Sequence, residues 1–236
     1  MFENQFANLS MFFDNYPSQT KLPCIVNVDV SGSMGTSTGF TAPIKEVENG
    51  IHAFKKSLEN DNQAKMAVDC LLMKFNSSVS VVQEFSKVED IVIPSFTASG
   101  TTALCESIIK SIDKLDERKK QYRSIGVDYY RPWIWVFTDG EPTDMDKSKE
   151  MLDKLEYQIK NKKLSLFIVG VKGYNKNKIV SLFKDYATII EIDGAEYVEF
   201  FKWLSNSVNR VIDSKVGDAI ELPDLPENTR VINIIA

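Results

Sequence analysis

Histidine is almost missing from this chain: His52 is the single one in 236 residues. Hydrolases that activate a serine or cysteine through an imidazole need that group at the site. His52 lies off the apolar stripe of an expected helix and reads as a solvated residue. Cysteine is scarce as well. Cys24, Cys70 and Cys105 are far apart and form no Cys-x-x-Cys pair, which argues against a zinc site or a disulfide framework. Each lies in an apolar run, so all three are expected to be buried thiols, in keeping with a reducing compartment. No apolar run reaches the ~18 residues that span a bilayer, and the first twenty residues lack the basic and apolar stretches of a secretory leader. The expectation is a cytoplasmic protein without a membrane contact. Basic excess is absent too: 28 Lys and Arg against 33 Asp and Glu leave a net charge of −5, which argues against nucleic acid as a partner.

What is present is an ordinary globular balance, with 43% hydrophobic and 26% charged residues, in a length that suits one large domain. Short apolar, β-branched runs alternate with stretches of helical period. Leu22–Val30, Trp133–Thr138, Leu164–Val171 and Thr188–Ile192 read as buried strands. Pro43–Leu58 carries Ile44, Val47, Ile51, Phe54 and Leu58 at steps of three and four, one face of an amphipathic helix. Leu104, Ile108, Ile112 and Leu115 mark a second such face, and Asp146–Lys160, Asn177–Phe183 and Tyr197–Ile212 read as further helices. Lys65–Phe75 and Val79–Phe85, joined at Asn76-Ser77-Ser78, read as an antiparallel hairpin. The order predicts an α/β fold of three layers, a doubly wound, mostly parallel sheet with one antiparallel edge strand. We divide the chain into an N-terminal extension (1–21, with Phe6, Met11, Phe12 and Phe13 as docking groups), a domain (22–216) and a C-terminal tail (217–236). The tail's apolar end, VINIIA, could add a strand or dock on a partner.

Three loops hold the chemistry. Asp29-Val30-Ser31-Gly32-Ser33 closes the first strand with one carboxylate and two hydroxyls, and Gly32 allows the sharp turn between the serines. Ser99-Gly100-Thr101-Thr102 precedes the second helix. Thr138-Asp139-Gly140 ends the Trp133 strand. All offer hard oxygen donors, which suit Mg2+, with Mn2+ or Ca2+ as alternatives. Doubly wound sheets bind ligands beyond the carboxyl ends of strands, where strand order reverses. Residues more than a hundred positions apart can therefore meet there. Taken alone, Ser-Gly-Ser is also common turn chemistry.

In order and spacing, over roughly Pro23–Ser214, these loops resemble the metal-ion-dependent adhesion site of von Willebrand factor A (VWA) domains. The resemblance implies that Asp29, Ser31, Ser33, Thr102 and Asp139 form the metal shell, with Thr102 preferred to Thr101 because Thr102-Ala103-Leu104 matches the family's Gly-Thr-Ala-Leu run. YYRPW (Tyr129–Trp133), TDGEPTD (Thr138–Asp144) and FKWLSNSV (Phe201–Val208) are similar to the TerY branch, bacterial proteins of tellurium resistance and stress response. The chain departs from that branch in its N-terminal segment, in its tail and at Ser99-Gly100, where Gly-Gly is common. The implied function is metal-dependent binding of a protein partner that offers an acidic side chain, without catalysis. A haloacid-dehalogenase-type phosphatase would need a second Asp two residues after Asp29, where Ser31 stands. A scaffold reading draws on the basic run Glu117–Arg131, which otherwise reads as a solvated helix end and loop. Glu141, Asp144, Asp146 and Glu106 are expected at exposed loops and helix starts, where acids are favoured.

Overall fold

The computed structural model describes residues 19–36, 41–171, 174–192, 197–218, 220–227 and 229–233. The docking groups expected in the N-terminal extension, Phe6, Met11, Phe12 and Phe13, lie outside these residues.

Seven strands form one sheet in the order β3-β2-β1-β4-β5-β6-β7. They are β1 (Leu22–Asp29), β2 (Val68–Phe75), β3 (Val79–Lys87), β4 (Trp133–Thr138), β5 (Ser165–Gly170), β6 (Thr188–Ile192) and β7 (Thr229–Asn233). The helices are α1 (Pro43–Glu59), α2 (Asn62–Ala67), α3 (Leu104–Ser124), α4 (Ser148–Lys160), α5 (Lys176–Phe183) and α6 (Tyr197–Ile212). β2, β1, β4, β5 and β6 run parallel. β3 and β7 close the two edges antiparallel.

Side chains of a strand alternate between faces, and here both faces are covered. All eight residues of β1 are buried. Cys24, Val26 and Val28 join Trp133, Trp135, Phe137 and Phe167 in the core under α1 and α6, while Ile25, Ile134, Val136 and Ile168 join the core under α3, α4 and α5. Two-sided burial explains why these strands read as continuous apolar runs rather than alternating ones. The Trp135 ring stacks on Phe167 with centroids 4.0 Å apart. The three cysteines are free and buried, as expected. No helix among the described residues is long and apolar enough to cross a membrane.

Three expectations change. Lys65–Ala67 belongs to helix α2, not to the strand. Ala64-Lys65-Met66-Ala67 favours helix, and Asp61 caps it by accepting the N–H groups of Gln63 and Ala64, both at 2.9 Å. Instead of one antiparallel edge strand there are two, because residues 229–233 of the tail pair with β6. The basic run Glu117–Arg131 is a solvated helix end and loop only in part: Lys120, Arg123 and Arg131 are exposed, but not every cation is. α3 continues to Ser124 with Arg118, Lys119 and Tyr122 buried. Arg118 meets the buried Asp69 of β2 at 2.5 Å, and the Tyr122 hydroxyl donates to the same carboxylate. With Arg118 and Lys119 turned inward, the basic surface that the scaffold reading draws on is reduced to Lys120, Arg123 and Arg131.

Candidate metal centre

β1 is flanked by β2 on one side and β4 on the other, so the order in which strands are added to the sheet reverses there. In doubly wound sheets this is the point where ligands bind, beyond the carboxyl ends of the strands. Asp29 is the last residue of β1, and Thr138 the last of β4.

Asp29 is fully buried. Its Oδ1 accepts the N–H of Ser31 at 2.8 Å, and its Oδ2 accepts the Thr138 hydroxyl at 2.6 Å. Thr138 is in turn oriented by the N–H of Gly140, at 3.1 Å. The Ser31 and Ser33 hydroxyls lie 3.2 Å apart, and Ser33 donates to Oδ1 of Asp139 at 2.8 Å. Four of the residues anticipated as ligands thus form one hydrogen-bonded set, with Asp29 and Ser31 buried and Ser33 open to solvent.

The fifth comes from the loop before α3. Thr101 is exposed and bonds through its N–H and hydroxyl to Ser77 Oγ, at 3.0 and 3.1 Å. Thr102 is buried, and its hydroxyl borders Gly140: a Cβ there would stand 3.0 Å from Thr102 Oγ1 and 3.5 Å from Asp29 Oδ2. Of the two threonines, the fold therefore turns Thr102 towards the carboxylates. The β2–β3 turn supports this loop. Asn76 accepts the Ala103 N–H at its carbonyl, at 2.6 Å. Gly100 holds φ at +78°, where a Cβ would meet Ser77 Oγ at 2.6 Å. That conformation favours glycine.

Burial pushes the Asp29 carboxyl up to about 6, against the opposing hydrogen bonds from Ser31 and Thr138, and the like charge of Asp139 adds to the rise. Burial raises the Asp139 carboxyl as well. Two carboxylates and three hydroxyls crowded at the end of the sheet suit a hard divalent cation, which would neutralise what burial penalises. Asp29, Ser31, Ser33, Thr102 and Asp139 are the residues that would hold it.

The neighbours of the site take more specific roles than their loop or helix-start positions indicate. Thr138 orients Asp29 and was legible only as part of TDG. Glu141 binds Asn175 and Lys178 of the α5 region, and Glu106 meets Lys147 at 2.6 Å. Asp144 does serve a helix start, as acids there often do, but that of α3 rather than the nearer α4. His52 is exposed on α1.

No family model and no curated protein matches the chain. Solved structures do. The pilus adhesin SpaC from Lactobacillus rhamnosus GG superposes with a TM-score of 0.62 at 16% identity, over 83% of this chain and 31% of that one. A von Willebrand factor type A protein from Catenulispora acidiphila gives 0.58 at 12%, over 81% and 43%. The ArnB paralog VWA2 from Sulfolobus acidocaldarius gives 0.52 at 17%, over 80% and 46%. The chain spans less than half the length of each. Strand order, helix layers and these superpositions together make the fold of this chain that of a von Willebrand factor type A domain.

Proposed function

We propose that the chain is a divalent-metal-dependent protein–protein interaction module that binds Mg2+, or Mn2+ or Ca2+ in its place. The observation that carries this reading is the single hydrogen-bonded set of Asp29, Ser31, Ser33 and Asp139 at the β1/β4 switch point, with Thr102 beside it. Two carboxylates neutralise a divalent ion without surplus, and hydroxyls add none. The solvent-open side at Ser33 leaves room for an outside ligand. A carboxylate of a partner protein supplies the charge-assisted contact such an ion favours. Mg2+ holds its remaining waters tightly, so exchange of one for a partner carboxylate is selective. The chain performs no catalysis in this reading: Ser31 stands where an Asp-nucleophile phosphatase has its acid, and His52 lies out on α1. The similarity of YYRPW, TDGEPTD and FKWLSNSV to the TerY branch supports a bacterial stress-response or tellurium-resistance-like setting in the cytoplasm.

The test is partner capture from the producing organism's lysate with wild type and Asp29→Ala, each in Mg2+ and in chelator, with bound proteins identified by mass spectrometry. Partners held only by wild type in Mg2+ are expected. Partners retained in all four samples would move the function to another surface.

A further inference from the structure

The loop that carries Asp139 is fastened to the loop that carries Thr102 by two residues that do not belong to the metal shell. Thr143 accepts the Thr102 N–H at its hydroxyl (3.1 Å) and returns that hydroxyl to the Thr102 carbonyl (3.1 Å). Its own N–H reaches the same carbonyl at 2.9 Å. One residue on, the Asp144 carboxylate spans the first turn of α3: Oδ1 accepts the Cys105 N–H at 3.1 Å and Oδ2 the Glu106 N–H at 2.8 Å.

A helix start leaves its first N–H groups without intrahelical partners, and usually the preceding residue supplies the cap. Ala103 stands at that position in α3 and has no side-chain oxygen to offer. The cap comes instead from Asp144, 39 and 38 residues away from the two groups it serves. A remote cap satisfies the helix and also fixes the distance between two loops. Thr102 lies just ahead of the capped turn, and Asp139 five residues before Asp144. Gly140 lies between them, leaving no side chain to separate the Thr102 hydroxyl from Asp29.

We infer that Thr143 and Asp144 are positioning residues for the metal centre: they hold the Thr102 hydroxyl against the Asp139 loop so that both loops present oxygen to one ion. The inference rests on the metal reading above. Residues that orient metal ligands typically account for 10–100-fold in affinity without touching the ion.

Asp61 is the matched control. It caps α2 through the N–H groups of Gln63 and Ala64. α2 leads straight into β2, whose first residue pairs with the first residue of β1, at the opposite end of the strands from Asp29. Asp61 also accepts from Asn209 Nδ2 of α6 at 3.0 Å, so its loss costs stability at the amino ends of the strands while leaving every bond of Thr143 and Asp144 in place.

The experiment titrates Mn2+ by calorimetry into wild type, Asp144→Ala, Thr143→Val and Asp61→Ala, and follows the Thr102 amide resonance in each. Thr143→Val leaves the cap intact and keeps the test available should Asp144→Ala fail to fold. Dissociation constants raised about 10–100-fold are expected for the Asp144 and Thr143 variants, with a displaced Thr102 amide. Asp61→Ala is expected to lower the melting point while leaving Mn2+ affinity at the wild-type value. Wild-type affinity in the Asp144 and Thr143 variants overturns the inference. A loss matched by Asp61→Ala overturns it as well, because general stability then explains the effect. Wild-type protein that takes up no Mn2+ overturns the metal reading, and this inference with it.

Discussion

Burial holds the Asp29 carboxyl up at about 6 in the folded chain, against an ordinary value of 3.8. The metal-free folded state thus binds this proton more tightly than the unfolded chain does. The stability it contributes is complete below pH 3.8 and is lost as pH rises through about 6. Above that pH the metal-free fold carries a buried negative charge, at a cost on the order of 1–3 kcal/mol. Asn at this position keeps an oxygen for the Ser31 N–H and cannot ionise. In chelator at about pH 7.5, Asp29→Asn should therefore unfold at higher denaturant than wild type by about that amount, with the gap closing towards pH 4. Saturating Mg2+ should reverse the order, because only wild type gains binding free energy. A wild-type chain in chelator that remains the more stable at neutral pH would contradict the burial argument.

Helices α1 and α6 lie together on one face of the sheet, and their spacing depends on a residue without a side chain. A Cβ at Gly50 would stand 2.2 Å from a ring carbon of Phe201. That ring is fully buried, stacks on Phe137 with centroids 5.0 Å apart, and has no room to withdraw. Alanine in a helix interior gains about 1 kcal/mol over glycine, whereas overpacking a close-packed core costs about 1–3 kcal/mol. Packing should win. Gly50→Ala is expected to lower the urea midpoint, with Mn2+ affinity of the folded fraction unchanged. The helical period announced α1 and α6 from the sequence, yet nothing in either period reveals that Phe201 meets Gly50, because that contact joins residues some 150 positions apart. The α2 segment was misread for a related reason. Its four helix-forming residues adjoin a strand with no intervening turn residue, so apolar pattern alone runs the two together.

For the whole molecule, the edges of the sheet matter most. β7 covers β6, and the segment leading to it packs Ile220, Leu222 and Leu225 on the core that includes α6, where Trp203 Nε1 donates to the Pro223 carbonyl at 2.9 Å. Truncation after Asp218 would bare the apolar β6 edge and the flank of Trp203. An open strand edge is a template for pairing with another chain. The truncated protein should self-associate in light scattering at concentrations where the full chain stays dispersed. Its metal affinity should hold, since β5 and β6 separate β7 from the β4 end of the site. Unchanged scattering would mean that β7 is dispensable as an edge cover.

Much of this arrangement was legible in the chain's own order. Period-2 and period-3.6 patterns are local, so the alternation of buried strands and amphipathic helices could be read directly, and with it the doubly wound sheet. The three oxygen-bearing loops could be read for the same reason: each is a short run at the end of an apolar segment, and the switch-point rule says where such runs gather. Questions of pairing waited on the folded chain. Thr101 and Thr102 have the same chemistry, and only the positions of Ser77 and Gly140 turn one outward and the other towards Asp29. Arg118 and Lys119 look like solvent-facing cations until Asp69, Asp116 and Gln158 are found opposite them. The Asp144 cap and the β7 edge depend on partners tens of residues distant. A side chain's local pattern says which face it occupies, but what lies across from that face is a property of the assembled layers.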